Sequence, residues 1–280
     1  MSQSSVLIIM ACGVHMVVLN GGVDFTSTAL LALTTVVGAS IMRTAGPLGG
    51  SGFSIVLALL AMVGLGLLLG IINGLSITTF KMPSFIVTMA TQMIVNGIAV
   101  VFTGGASVSG LPAAFGKFKG GIGIFPFILF IALGVAIVLH IITTKTIFGR
   151  QLYAVGTNHK TALTSGISPR KTIFKAYVIS GICAGIAGIV ELAYMQSGSV
   201  NYGSTMFNDI MASIIVGGTS PAGGSGKIRN TVLGALLISM IDNSLNILGV
   251  PYYYITLIKG LIILVAASID LIRIQKRDSK

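Results

Sequence analysis

Ionisable side chains that could do chemistry are scarce in this chain. Six carboxylates and three histidines stand among 280 residues, of which 54% are hydrophobic. Asp24, Asp209 and Asp242 fall inside or at the edge of apolar runs. A charge there costs at least about 2.5–3.5 kcal/mol at the centre of a bilayer, unless it faces protein or water. Asp24 follows Gly21-Gly22 at a predicted helix start and Asp209 opens a short apolar segment; helix capping explains either one as well as a functional role does. Glu191 lies near the end of its predicted helix, within reach of an interface. Asp242 and Lys259 flank a turn at Pro251 by similar lengths. Helical rise sets both on the order of 10–12 Å below that turn, which predicts an ion pair across the hairpin, a structural pair serving assembly. The uncharged Asn73, Thr88, Thr91, Gln92, Asn96, Asn243 and Asn246, with Asp24 and Asp209, are candidates for a hydrophilic translocation path. Hydrogen bonding between helices is the competing reading for any one of the uncharged residues. Together they suit a neutral, hydroxyl-bearing solute, because no acid cluster supplies a proton or sodium relay.

Other chemistry finds no support. His15, His140 and His159 have no partners at metal-ligand spacing, so no metal site is expected. Cys12 and Cys183 sit in apolar runs as small packing residues. No Ser/His/Asp constellation and no paired carboxylates occur, and the chain is not expected to be an enzyme. The glycine-rich stretch GGTSPAGGSGK (217–227) invites comparison with a phosphate-binding loop. It departs from that pattern, because Ile228 follows Gly226-Lys227 and Pro221 stands where the first glycine belongs. The chain is therefore expected to bind no cofactor and hydrolyse no ATP, and the stretch reads as a flexible turn.

The elements that hold these residues must be membrane helices. Only 8% of residues are charged and mean hydropathy is +0.99, whereas an average soluble domain is about a quarter charged. The fold class is all-α, a polytopic integral membrane protein. About 20 apolar residues cross the hydrocarbon core, which predicts crossings near 5–20, 24–42, 53–75, 83–103, 124–143, 173–195, 229–248 and 252–272. A ninth segment, 206–218, is about half the required length and is read as a broken or re-entrant helix. Nine segments put the amino terminus outside and the carboxyl terminus in the cytoplasm. Thirteen cations then lie inside (Lys81, the six of the 145–175 stretch, Lys227, Arg229, Arg273, Lys276, Arg277 and Lys280), against Arg43, Lys117 and Lys119 outside, as the positive-inside tendency requires. The net charge of +11 is thus a matter of membrane lipid and orientation, with no soluble domain on which a nucleic-acid surface could be built. Gly66, Gly70 and Gly74, and likewise Gly181 and Gly185, recur every four residues and predict close helix packing. The stretches 71–85 and 240–254 share an asparagine, a short connection and a helix-opening proline on opposite faces, a pattern that suits inverted repeats. The start of the chain lacks a basic signal-peptide region and plunges into apolar sequence, as if an earlier segment preceded it.

The longest polar interval, Lys145 to Lys175, carries six cations and no acid. Asn158 is placed to cap a helix of roughly two turns through Lys160, Ala162 and Leu163, which Gly166 ends in a left-handed turn. Ser168-Pro169 reads as the next N-cap. A short helix on a basic cytoplasmic loop, 144–172, suits a docking element; a solvated connector that sets topology is the plainer alternative.

Four stretches together resemble a known family. They are NGGVDFTSTALLAL (20–33), FGRQLYAVGTNHKTALTSGI (148–167), IIVGGTSPAGGSGKI (214–228) and LNILGVPYYYITLIKGLIIL (245–264). They are similar to the permease subunits of bacterial binding-protein-dependent ABC importers of the ribose/galactose/arabinose type, over essentially the whole length. The resemblance implies a single transmembrane permease domain over 1–280, a multi-pass protein of the bacterial inner membrane. It also implies a second permease subunit (identical or different), cytoplasmic ATPase subunits holding ATP and Mg, and an extracytoplasmic solute-binding protein. By that likeness the helix at 158–165 is the coupling helix, with Gly149, Arg150, Gly156, Asn158, Ala162, Leu163 and Gly166 as coupling residues. A bulky charge at Ala162 is then expected to uncouple ATP hydrolysis from uptake. The family pattern also implies a further transmembrane helix before residue 1. Asp242 and Tyr254 stand where sugar permeases tend to carry Asn and Gln. The expected cargo is a monosaccharide; nucleosides, autoinducer-type sugars and branched-chain amino acids are carried in the same superfamily. A secondary transporter would need titratable or sodium-coordinating groups near the midplane, which the sequence scarcely supplies.

Overall fold

A computed structural model describes residues 2–46, 48–122 and 125–278. Helices dominate it: α1 (Ser2–Val18), α2 (Thr26–Met42), α3 (Gly52–Thr79), α4 (Ser84–Thr103), α5 (Ala113–Gly116), α6 (Phe127–Lys145), α7 (Ile147–Thr157), α8 (His159–Thr164), α9 (Pro169–Met195), α10 (Met206–Val216), α11 (Ile228–Ile247) and α12 (Tyr252–Asp278). A two-residue antiparallel hairpin pairs Gly121 with Pro126 and Ile122 with Phe125 in the connection before α6. Every predicted crossing coincides with a helix. The helices α3, α4, α6 and α9 are long and apolar enough to span a bilayer by themselves, while α1, α2 and α10 are shorter. In α12 the side chains of Arg273, Lys276 and Arg277 lie outside the described residues, as does Lys280 altogether.

The bundle is organised around α9, which packs on α1, α2 and α3. The α3–α9 crossing is made by the glycines that the four-residue spacing marked. A Cβ on Gly66 would run into the Gly181 carbonyl, one on Gly70 would lie 2.7 Å from the Tyr177 carbonyl oxygen, and one on Gly185 2.7 Å from that of Met62. Backbone contact of this kind substitutes packing for the hydrophobic drive that lipid cannot provide. Cys12 and Cys183 are buried free thiols, and Cys183 sits against Gly13 where α1 meets α9. Glu191 corrects its expectation: it is 5% exposed, enclosed by the bundle instead of reaching an interface. His15 is buried as well, its Nδ1 2.8 Å from Thr231 Oγ1 and 3.2 Å from Thr219 Oγ1.

Connections sort into two clusters at opposite ends of the bundle. At one end Thr44 N donates to Gly110 O at 2.9 Å and Val108 bridges Gly198. Inside the bundle, the start of α10 meets α11 and α12 through Lys259, and Phe207 of α10 stacks on Phe25 at 4.0 Å. At the other end the α1–α2 link, the α3–α4 turn, the 146–168 segment and the 217–227 loop come together. Gly224 N donates to Leu19 O at 2.9 Å, Val23 N to Ser84 Oγ at 3.4 Å and Arg170 Nη2 to Thr79 Oγ1 at 2.9 Å. The α3–α4 and α11–α12 turns thus lie at opposite ends. The 217–227 loop is no slack turn: Thr219 and Ser220 are buried and Ser220 N donates to Ser225 O at 3.1 Å.

Candidate functional site: a docking helix and the link beneath it

The polar interval after α6 folds as two helices, of which sequence reasoning found only the second. Thr146 Oγ1 accepts from Gly149 N at 3.2 Å and starts α7. Phe148, Leu152 and Val155, at i, i+4 and i+7, turn one face of α7 inward, with Leu152 and Val155 fully buried. That spacing and the Thr146 cap were the available signals; the neighbouring cations and glycines masked them. Asn158 is the joint between the helices. Its backbone N–H closes α7 on Ala154 O at 3.2 Å, and its Oδ1 accepts from Lys160 N at 2.9 Å and Thr161 N at 3.1 Å to open α8. Gly166, at φ +79°, ends α8: its N–H donates to Leu163 O at 3.1 Å while Ile167 N donates to Ala162 O at 3.0 Å. These two bonds form a Schellman motif, whose left-handed residue favours glycine. Ser168 occupies the N-cap position of α9 with Pro169 at N1, but its side chain makes no cap hydrogen bond.

Within α8 two residues face opposite ways. Leu163 is 63% exposed and Ala162 only 3%. Ala162 is therefore turned toward its own chain, and a bulky charge there would unseat α8 from the bundle before it altered a partner contact. Arg150 is exposed on α7. Gly149 and Gly156 meet their own chain as well: a Cβ on Gly149 would overlap backbone at the end of α6, and one on Gly156 would overlap Leu19 O and approach Gly224 N.

Through Gly156 and the Tyr153 hydroxyl, which donates to Gly226 O at 2.7 Å, α7 rests on the 217–227 loop and the α1–α2 link. Half-burial raises the Tyr153 phenol above its usual pKa, so it remains a donor at neutral pH. The link itself is held from inside the bundle. Val23 O accepts from Tyr177 OH at 3.0 Å and Thr88 Oγ1 at 3.3 Å. Asp24 is buried and its Oδ2 accepts from Ser180 Oγ at 2.6 Å. The cap position of α2 belongs to Phe25, one residue later.

The path candidates divide three ways. Asn73 and Thr88 are buried in a closed network, where Asn73 Nδ2 donates to Thr26 Oγ1 and Thr91 Oγ1 donates to Asn73 Oδ1, both at 2.8 Å. These bonds join α2, α3 and α4, and that of Asp24 joins the α1–α2 link to α9. Asn246 bonds its own helix at Asp242 O, 2.7 Å away. Gln92 and Asn96 line a polar cavity of about 270 Å³ with Thr28, Asn201, Tyr202 and Ser204. Asp209 and Asn243 line a second, mostly apolar cavity of about 330 Å³ with Gln3, Ser4, Asp242, Leu7 and Met206. Beside the second cavity Lys259 Nζ lies 2.7 Å from Oδ1 of both Asp242 and Asp209. The sequence pairing of Asp242 with Lys259 is thus a triad, and Asp209 is engaged by the lysine instead of capping α10, whose N-cap is Thr205. No group of three His, Cys, Asp or Glu side chains that could hold a metal occurs among the described residues.

Residues 1–267 match the family model described as the branched-chain amino acid transport system / permease component. The chain belongs to this permease family. The permease is 35% identical over 265 residues to the ribose import permease protein RbsC of Bacillus subtilis, an alignment covering 94% of this chain and 80% of the relative. It is 37% identical over 273 residues to the D-allose transport system permease protein AlsC of Escherichia coli, covering 96% and 81%. With the galactose/methyl galactoside import permease protein MglC of Escherichia coli it shares 30% identity over 290 residues, covering 99% and 86%. No solved structure matches the permease. Its role is transport, and its apolar helices make it a multi-pass membrane protein.

Proposed function

We propose that the chain is the membrane-spanning subunit of an ABC importer that carries a monosaccharide inward. One observation carries this reading: along nearly its whole length the chain is 30–37% identical to permeases whose names state ribose, allose and galactose import. The family description mentions branched-chain amino acids, but these sugar permeases are the nearer guide to cargo. The two cavities support the reading, because the hydroxyl, amide and carboxylate groups that line them can hydrogen-bond a neutral polyol.

On this reading ATP and Mg belong to a separate cytoplasmic ATPase, a solute-binding protein delivers sugar at the Gly110/Gly198 end, and two permease subunits face each other. The exposed face of α8, with Leu163 and neighbouring Arg150 of α7, seats in the ATPase. Its displacement passes through Asn158 to α7, and from Gly156 and Tyr153 to the Leu19–Asp24 link inside the bundle. The glycine contacts make that relay stiff, since backbone packed on backbone transmits displacement without slack. The end bearing α8 is cytoplasmic, as its cations require. Sugar uptake by vesicles containing the permease, its ATPase and its binding protein tests the proposal. Uptake should need internal ATP and survive an ionophore; uptake without ATP, or abolished by the ionophore, would replace it with a secondary transporter.

A further inference from the structure

Two shallow apolar grooves meet on either side of Phe174, and they share no lining residue with either cavity described above. One, about 410 Å³, runs between the end of α6 and α9 and is lined by Ile142, Phe148, Val178 and Ile179. The other, about 300 Å³, runs between the end of α3 and the start of α9 and is lined by Leu75, Thr78 and Ser168, with Arg170 and Lys171 at its rim. Phe174 and Lys175 line both grooves. Lys171 and Lys175 stand one helical turn apart on α9, both exposed, and Lys175 Nζ sits 5.7 Å from the Phe148 ring centroid. Arg170 is steered by its bond to Thr79. No carboxylate lines either groove, and among the described residues the ion pairs are those of Lys259.

Cations at the membrane surface with apolar grooves directly beneath them match an amphiphile bearing a phosphate and two chains. Basic pockets between transmembrane helices on the cytoplasmic side attract anionic head groups, while the furrows beneath take hydrocarbon. We propose that this surface binds an anionic glycerophospholipid, its phosphate between Lys171 and Lys175 and one acyl chain on each side of Phe174. The proposal rests on the chain's residence in a membrane and is independent of which solute it carries. Charge complementarity selects the occupant: a zwitterionic lipid fits the furrows equally but leaves the lysines' charge unmatched. The bound lipid would brace the joint where α6, α7 and α9 converge beneath α8.

Native mass spectrometry of the full-length permease in detergent, titrated with palmitoyl-oleoyl phosphatidylglycerol or the matching phosphatidylethanolamine, tests this. Wild-type protein should hold phosphatidylglycerol in preference. K171Q/K175Q should bind it roughly 25-fold more weakly, two charges being lost from the surface. K117Q/K119Q, altered at the opposite end, should bind as wild type. Glycerol 3-phosphate should not displace the lipid at matching concentrations. Equal retention of the two lipids, unchanged binding by K171Q/K175Q, or full displacement by glycerol 3-phosphate would each overturn the proposal, the last by reducing the surface to a free-phosphate site. A sugar-transport failure would leave these readouts untouched.

Discussion

At the scale of single residues the Asp209–Lys259–Asp242 triad sets the strongest constraint. One ammonium bridges two carboxylates at 2.7 Å each, with side chains only 14–17% exposed. Such a group contributes through what its loss exposes: breaking a buried pair leaves uncompensated charge, whereas neutralising every member removes the problem. Lys259→Met should therefore destabilise the permease by about 3–5 kcal/mol. The combined change of Lys259→Met with Asp209→Asn and Asp242→Asn should recover most of that loss. Melting temperatures of the detergent-purified variants check the order. If Lys259→Met alone melts with wild type, the lysine is not what ties α10, α11 and α12 together. Asp24 stands in contrast, a buried acid met by the Ser180 hydroxyl and by the backbone N–H groups of Thr26 and Ser27 at the start of α2.

At the scale of elements the α7–α8 unit has its two faces assigned by burial. Ala162 faces the bundle and Leu163 faces outward, so neighbouring substitutions have different consequences. Leu163→Asp should leave the melting temperature unchanged and lower ATP-driven uptake roughly tenfold, the loss expected from one apolar anchor at a protein interface. Ala162→Asp should lower both, by forcing α8 off the bundle. Uptake and melting curves measured together separate them; wild-type uptake by Leu163→Asp would remove the docking role from α8. The signature glycines take a different meaning from the one their grouping with Leu163 suggested. Gly149 and Gly156 admit close backbone approach within this chain, which sets where α7 lies.

At the scale of the whole molecule, the two loop clusters divide the protein into ends whose sidedness can be measured. In intact cells a membrane-impermeant maleimide should label a cysteine at Ser109 and spare one at Thr164, with both labelled after the membrane is opened. The reverse pattern would invert the orientation and remove α8 from the cytoplasm. Much of this architecture was legible in the chain itself. Apolar run length located nine helices because a segment in hydrocarbon must satisfy its own backbone, so hydropathy alone determines where helices stand. Asn158 and Gly166 marked the ends of α8 because caps are local, set by residues within one turn. Glycine periodicity marked the α3–α9 contact surface for the same reason, since a helix face follows from spacing. What only the tertiary structure decided depends on which element stands opposite. Asp209 joined Asp242 at Lys259, Ala162 turned inward while Leu163 turned outward, and Asn73 and Thr88 closed into a network while Gln92 and Asn96 opened onto a cavity. In none of these cases does the local sequence say which element stands opposite. A side chain's partner lies tens to hundreds of positions away in the chain, and only packing brings it within hydrogen-bond reach.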